Sequence, residues 1–155
     1  MRRKKIAKRG ERGATLLEFT IGALVFFIAL FGVLECSRLL WTHNALADAA
    51  RRGARHAVVC PQNESKVRNV VVYGDPAGGA QPVVPGLTAT DDRVEVLYTD
   101  FGVKQGTVSV RITGYQFTFA IPLIGTTLAM PDYQTTLTGE SAGCLPPDCT
   151  TPSGC

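Results

Sequence analysis

The sequence predicts an α+β fold, in which a long N-terminal transmembrane helix continues into a small outer domain with an antiparallel β-sheet. Three patterns within the 155 residues predict it. Residues 14–34 form an apolar run, residues 39–59 are rich in alanine and lack proline, and later stretches alternate apolar with polar side chains. The first two patterns are typical of helices, and the third is typical of strands that bury one face.

The apolar run has the length of a membrane span. Its 21 residues would measure ~32 Å as a helix, close to the ~30 Å hydrocarbon core of a bilayer. Glu18 lies inside this run, and a carboxylate in hydrocarbon is costly unless another group pairs with it. The run therefore predicts a single span that carries one acid in need of an explanation.

Charge is distributed unevenly around this span. Residues 1–13 hold seven Lys/Arg and one Glu, a net +6, whereas the other 142 residues hold nine basic and twelve acidic side chains, a net −3. A basic segment before an apolar span is a topology signal, because positive charge favours the cytoplasmic side. We therefore interpret residues 1–13 as a cytoplasmic leader, not a nucleic-acid-binding arm, and expect the chain after the span to lie outside the cytoplasm.

The helix is expected to continue beyond the membrane to residue 59, so that residues 14–59 form one element. Leu39, Leu46, Ala50 and Ala57 share one face at helical spacing, which predicts an amphipathic outer half. Pro61 marks its end.

Residues 60–141 predict a β-rich domain of three to five antiparallel strands, and residues 142–155 predict a Cys/Pro-rich tail. A Gly/Pro-rich loop at residues 74–86 is expected to be the least ordered part of the domain. Residues 120–131 are interpreted as an apolar loop or short helix. The predicted strands cover residues 67–73, 93–99, 107–119 (with a bend at Gly114) and 133–139.

Four of the five cysteines fall on the predicted outer side, where disulfides persist. These candidates are Cys60, Cys144, Cys149 and Cys155, and the three possible connectivities stay open. Cys36, at the end of the apolar run, is the odd one out. A zinc site is disfavoured because the C-x4-C and C-x5-C spacings lack a C-x2-C pair and nearby histidines.

No residue pattern predicts an enzyme or a cofactor. His56 and Cys60 are four residues apart and could form a nucleophile pair, but such a pair needs an oriented third group. We interpret them as a surface histidine beside a structural cystine. Asp91, Asp92 and Asp100 are interpreted as turn-capping acids, because they lack the alternating ligands and glycine turn of a calcium loop.

The N-terminus could be processed in three ways. A signal peptidase could cut after the A-x-A match at residues 45–47, but this site lies 13 residues beyond the apolar run and inside a predicted helix. The span could instead stay as an uncleaved anchor, which leaves Gly13 and Glu18 unexplained. The third way comes from a resemblance.

The string R-G-A-T-L-L-E-F resembles the prepilin cleavage motif of type IV pilins and pseudopilins. Gly13 matches the glycine that ends the leader, Ala14 the first mature residue, Glu18 the fifth-position acid and Phe19 the aromatic residue after it. The later run A-D-A-A-R-R-G-A-R-H-A-V-V, residues 47–59, is similar to the end of the helix in TadE-like proteins. These are the minor pilin-like proteins of Tad (Flp-type) pilus systems.

The resemblance implies a pilin-like, non-enzymatic protein of a bacterial inner membrane, with a single pass and a cytoplasmic N-terminus. A prepilin peptidase would cut between Gly13 and Ala14, where glycine allows close approach to the backbone. Glu18 would then pair with the new α-amino group of a neighbouring subunit and set the register of assembly. Its implied partners are the membrane, the prepilin peptidase, other pilin or pseudopilin subunits and the pilus assembly machinery. Its implied role is in Tad pilus assembly and adhesion, and the alternatives are a secretion-system pseudopilin or a single-pass envelope protein whose outer domain binds a ligand or partner.

Overall fold

The computed structural model describes residues 11–90, 92–99, 106–120 and 127–138. Contacts divide the chain into two compact units, Met1–Arg38 and Leu39–Cys155. The predicted α+β class is confirmed: a long apolar helix precedes a small domain of antiparallel strands.

Helix α1 spans Glu11–Val59, so the predicted continuous helix is confirmed, and it also includes the described residues before Ala14. No proline interrupts it before Pro61. Its last turn closes with the amide of Cys60 donating to the carbonyl of His56 at 2.9 Å.

Helix α2, Glu64–Tyr73, occupies the segment for which the sequence predicts a strand at residues 67–73, and that prediction is wrong. Valines favour strands, but residues at both ends of the segment favour a helix. The side chain of Asn63 accepts a hydrogen bond from the amide of Lys66 at 3.1 Å and caps the N-terminus. Gly74 ends the helix in the left-handed conformation, with φ of 80°.

Five strands follow, in two antiparallel sheets instead of one. The three-stranded sheet has the order β1-β2-β5, and the two-stranded ribbon pairs β3 with β4. The strand bounds are β1 Val94–Thr99, β2 Thr107–Ile112, β3 Gln116–Thr118, β4 Thr127–Ala129 and β5 Tyr133–Thr138. Strand β4 lies where a loop or short helix was expected, so that expectation is wrong for residues 127–129, while residues 121–126 lie outside the described residues.

The predicted bend at Gly114 is confirmed. Gly114 has φ of 64°, a conformation that side chains disfavour, and it separates β2 from β3. The chain on either side therefore joins different sheets. The amide of Met130 bonds to the carbonyl of Tyr115 at 2.9 Å and extends the ribbon beyond its assigned strands.

The core of the second unit joins α1, α2 and the strands. Leu46, Ala50 and Ala57 are buried, as the helical spacing predicted, and Leu39 packs against the core from its edge. The other buried apolar side chains of the core include Ala49, Ala54, Val67, Val71, Val72, Val94, Val108, Val110 and Ile112.

The loop at residues 74–86 is more firmly held than its composition predicts. The amide of Val83 donates to the carbonyl of Val72 at 2.8 Å, and Val84 is buried in the core. The hydroxyl of Tyr115 donates to the carbonyl of Pro85 at 2.6 Å. Hydrogen bonds and a buried side chain thus hold this loop against the core.

Candidate functional site: the N-terminal helix

The first unit presents a continuous apolar surface on α1. Large apolar side chains are exposed on every side of the helix, and Phe19 is exposed over 75% of its surface. By length and composition, one helix among the described residues could cross a membrane. Phe27 contacts Phe26 edge-on at 5.7 Å between ring centroids and stacks on Phe31 at 6.4 Å. In an aqueous environment this apolar surface would be exposed to water, whereas in a membrane lipid or neighbouring helices would cover it.

The bond between Gly13 and Ala14 lies in a helical turn of α1. Both residues are exposed, and a Cβ added to Gly13 would meet no atom within 4 Å. A peptidase that reads an extended backbone would have to unwind this turn. Glycine makes this easier, because it weakens a helix by about 1 kcal/mol relative to alanine.

Glu18 and Phe19 are also exposed on this helix. Within the part of the chain that the structure describes, the carboxylate of Glu18 makes no hydrogen bond and no ion pair. Ala14 and Glu18 are four residues apart and therefore lie on the same helix face, one turn from each other. The structure thus places an unpaired acid beside the bond predicted to be cut.

The other acid of the apolar segment is held differently. Glu35 is only 6% exposed, and one guanidinium nitrogen of Arg38 donates to both of its carboxylate oxygens, at 2.7 and 2.9 Å. The acid and base stand at i,i+3, a spacing that sequence reasoning overlooked. Cys36, next to Glu35, is an exposed free thiol.

Comparison with models of protein families finds a match within this helix. Residues 13–55 match the family model described as TadE-like protein. The N-terminal helix is similar to that of TadE-like proteins. The match begins at Gly13 and includes Glu18 and the Glu35–Arg38 pair, but it covers less than a third of the chain. No curated protein and no solved structure matches the chain significantly.

The TadE-like match associates the protein with Tad pilus systems, in which this family is typically structural and not enzymatic. Together with the candidate membrane helix, it fits a protein anchored in a membrane.

The candidate disulfide cysteines lie outside the matched residues, and the structure describes one of them, Cys60. Cys60 is buried and disulfide-bonded, so its sulfur is not a nucleophile in this state. Its bonding partner is not among the described residues, and Cys144, Cys149 and Cys155 lie outside them. The pairing of these four cysteines therefore stays a prediction.

His56 is half-buried, so its interpretation as a surface residue is wrong. Neither ring nitrogen has a hydrogen-bond partner among the described residues. Burial, with a smaller contribution from the positive charge of Lys66, lowers the pKa of His56 below its usual value. Of the three acids interpreted as turn caps, Asp92 lies in a turn, and Asp91 and Asp100 lie outside the described residues. In the described ranges, no three His, Cys, Asp or Glu side chains cluster as metal ligands.

A second polar contact that sequence reasoning missed joins α1 to β5. The Nδ1 atom of His43 lies 2.6 Å from the hydroxyl of Tyr133, and the two rings meet edge-on at 5.2 Å. Burial raises the pKa of the Tyr133 hydroxyl above its usual value. The residues are 90 positions apart, and no local pattern indicates such a contact.

Proposed function

We propose that this protein is a non-enzymatic minor pilin or pseudopilin, cut after Gly13, that takes part in Tad-type pilus assembly and adhesion. Residues 1–13 are the cytoplasmic leader, and residues 14–59 are the mature helix. Residues 60–141 form an extracytoplasmic domain, followed by the cysteine-rich tail at residues 142–155. The prepilin peptidase and other pilin subunits are its partners.

The observation that carries this proposal is the coincidence of a TadE-like match beginning at Gly13 with an exposed Glu18, five residues later, that has no partner among the described residues. An anchor that only spans the bilayer gains nothing from an acid in its apolar run, since the acid opposes insertion. A subunit that meets a neighbour's α-amino group gains an ion pair, which is strong in a medium of low dielectric constant.

Mass spectrometry of the N-terminus of protein from native membranes tests the proposal. We expect the mature chain to begin at Ala14. A chain that begins at Met1 would favour the uncleaved anchor, an envelope protein whose outer domain binds a ligand or partner. A chain that begins at Asp48 would indicate a secreted domain.

The variant Gly13→Leu should accumulate as full-length precursor, because a leucine side chain obstructs close approach to the backbone and strengthens the helical turn. The matched control is Gly22→Leu. Gly22 also lies in α1, and a Cβ added to it would likewise meet no atom within 4 Å, but it is outside the predicted motif. Unchanged cleavage of Gly13→Leu, with intact membrane insertion of both variants, would contradict cutting at this bond.

A further inference from the structure

Two large apolar side chains lie on the surface of the second unit directly after its boundary with the first. Leu40 is 61% exposed and Trp41 is 56% exposed, although their neighbours Leu39 and Thr42 are partly or fully buried. Trp41 is the only tryptophan of the chain. Its indole N–H has no hydrogen-bond partner among the described residues.

An exposed indole with an unused N–H group suits one environment in particular. Tryptophan is enriched at membrane–water interfaces, because its ring is apolar and its N–H group still needs a polar partner. The headgroup region supplies both requirements, since its carbonyl oxygens accept hydrogen bonds and its acyl chains contact the ring. Water alone satisfies only the N–H group.

The position of Trp41 along α1 fits this environment. Trp41 follows Leu34, the last residue of the apolar run, by seven residues, or ~10 Å along the helix. Long side chains on a helix lean toward its N-terminus, which brings the ring back toward the apolar run. Residues 14–41 together measure ~42 Å, close to the ~40–45 Å of a bilayer that includes both headgroup regions.

We propose that Leu40 and Trp41 form an interfacial anchor, which binds the headgroup region of the leaflet on the C-terminal side of the span. The occupant is phospholipid, because Leu40 and Trp41 follow the apolar run on the same helix α1, within the distance that a headgroup region spans. The anchor fixes how far the helix can slide along the bilayer normal. It depends on membrane anchoring, which the proposed function shares, but it does not depend on cleavage after Gly13.

The single tryptophan allows a direct test. The full chain is reconstituted in phosphatidylcholine vesicles at high dilution, and tryptophan emission is measured with lipids brominated near the headgroup or near the bilayer centre. We expect a blue-shifted emission, protection from acrylamide, and a larger loss of emission with the shallow bromine than with the deep one.

The control moves the tryptophan to the outer domain. In the double variant Trp41→Phe with Leu97→Trp, the new ring replaces a side chain that is 58% exposed on β1, nearly the same as Trp41. We expect this ring to be quenched by acrylamide and not by either lipid. Free N-acetyl-tryptophanamide in the same vesicles supplies a water-exposed reference that does not depend on folding.

Three results would overturn the anchor. Acrylamide quenching of Trp41 equal to that of the free reference would show that the ring lies in water. Stronger quenching by the deep bromine would place it in hydrocarbon. Protection that disappears as the protein is diluted into more lipid would show that a second copy, and not lipid, covers it. Because none of these measurements reads the N-terminus, failure of the anchor and failure of the Gly13 cleavage are distinguishable.

Discussion

At the residue scale, Gly53 shows how tightly α1 packs against its surroundings in the second unit. A Cβ on Gly53 would lie 2.3 Å from a methyl group of Val71 on α2 and 3.4 Å from a methyl group of Val110 on β2. The first distance is far shorter than a van der Waals contact. Both valines are fully buried, so either would have to shift within the core to make room. Glycine is therefore required here by close approach and not by backbone conformation.

The variant Gly53→Ala should lower the free energy of unfolding by about 1–2 kcal/mol, because the overpacking exceeds the gain in helix propensity. Urea unfolding of the full chain in detergent micelles, followed by circular dichroism, measures the change. Val71→Ala removes the clashing methyl group, so in that background Gly53→Ala should be neutral or stabilising. Equal destabilisation in both backgrounds would show that the contact with Val71 is not the cause.

His56 makes the second residue-scale prediction, which concerns pH. Its pKa is lower in the folded chain than the usual ~6.5, so between these two values the unfolded chain binds more protons. The free energy of unfolding should therefore fall as the pH decreases below ~6.5. Above that value, His56 should contribute no pH dependence. Urea unfolding of the disulfide-intact chain at about pH 7.5 and about pH 5.5 should show this loss.

The variant that tests this pH dependence is His56→Gln, because it removes the imidazole that gains a proton on unfolding. Carboxylates also titrate toward low pH, so the informative quantity is the difference between the variant and the parent chain. His56→Gln should reduce the loss of stability on acidification. A parent chain and a His56→Gln variant with the same pH dependence would contradict the assignment.

At the element scale, α1 could be predicted almost entirely from the sequence. Its apolar and alanine-rich halves follow one another without proline, and the buried face at Leu46, Ala50 and Ala57 follows from helical spacing. Strands β1, β2 and β5 were also predicted, since apolar residues alternate along β1 and β2 and bury one face.

Helix α2 could not be predicted in this way. Its four valines indicate a strand by propensity, but Asn63 and Gly74 cap the segment and place those valines on the core side of a helix. Reading the capping residues before the valines would have given the correct element. Strand β4 was missed for another reason: it is three residues long, and only its pairing with β3 defines it.

The residues of the candidate site likewise differ in whether a local sequence pattern predicts them. The positions of Gly13, Ala14, Glu18 and Phe19 came from a local motif; all four residues are exposed on α1, and their roles stay predictions. The Glu35–Arg38 pair has a local i,i+3 signal that could have been found. The contact of His43 with Tyr133 has none, because it depends on how the strands bring residue 133 to the helix.

At the scale of the whole molecule, Glu18 and Glu35 of α1 differ in whether a partner within the chain binds their carboxylates. Glu35 is satisfied within the chain by Arg38, whereas Glu18 has no partner among the described residues. Two candidate partners for Glu18 in an assembled membrane are the water and headgroups of the bilayer and the α-amino group of another subunit. Only the second partner makes Glu18 a determinant of assembly.

The variant Glu18→Gln distinguishes these two partners. If a neighbouring subunit's α-amino group pairs with Glu18, the amide should lower the amount of protein that co-sediments with sheared pili by about tenfold or more, equivalent to ~1.4 kcal/mol. Membrane insertion should not weaken, because a neutral amide enters hydrocarbon at lower cost than a carboxylate. The measurement is a quantitative immunoblot of pili and membranes from the source organism.

Glu35→Gln is the matched control, since it makes the same acid-to-amide change in the same helix at a carboxylate already held by Arg38. It should leave the pilus-associated fraction close to that of the parent chain. Equal fractions for Glu18→Gln and the parent chain, with both N-termini at Ala14, would mean that the acid lies among the headgroups. The helix would then be cut like a pilin but held in the membrane as an anchor, and its contribution to the pilus would have to come from the outer domain.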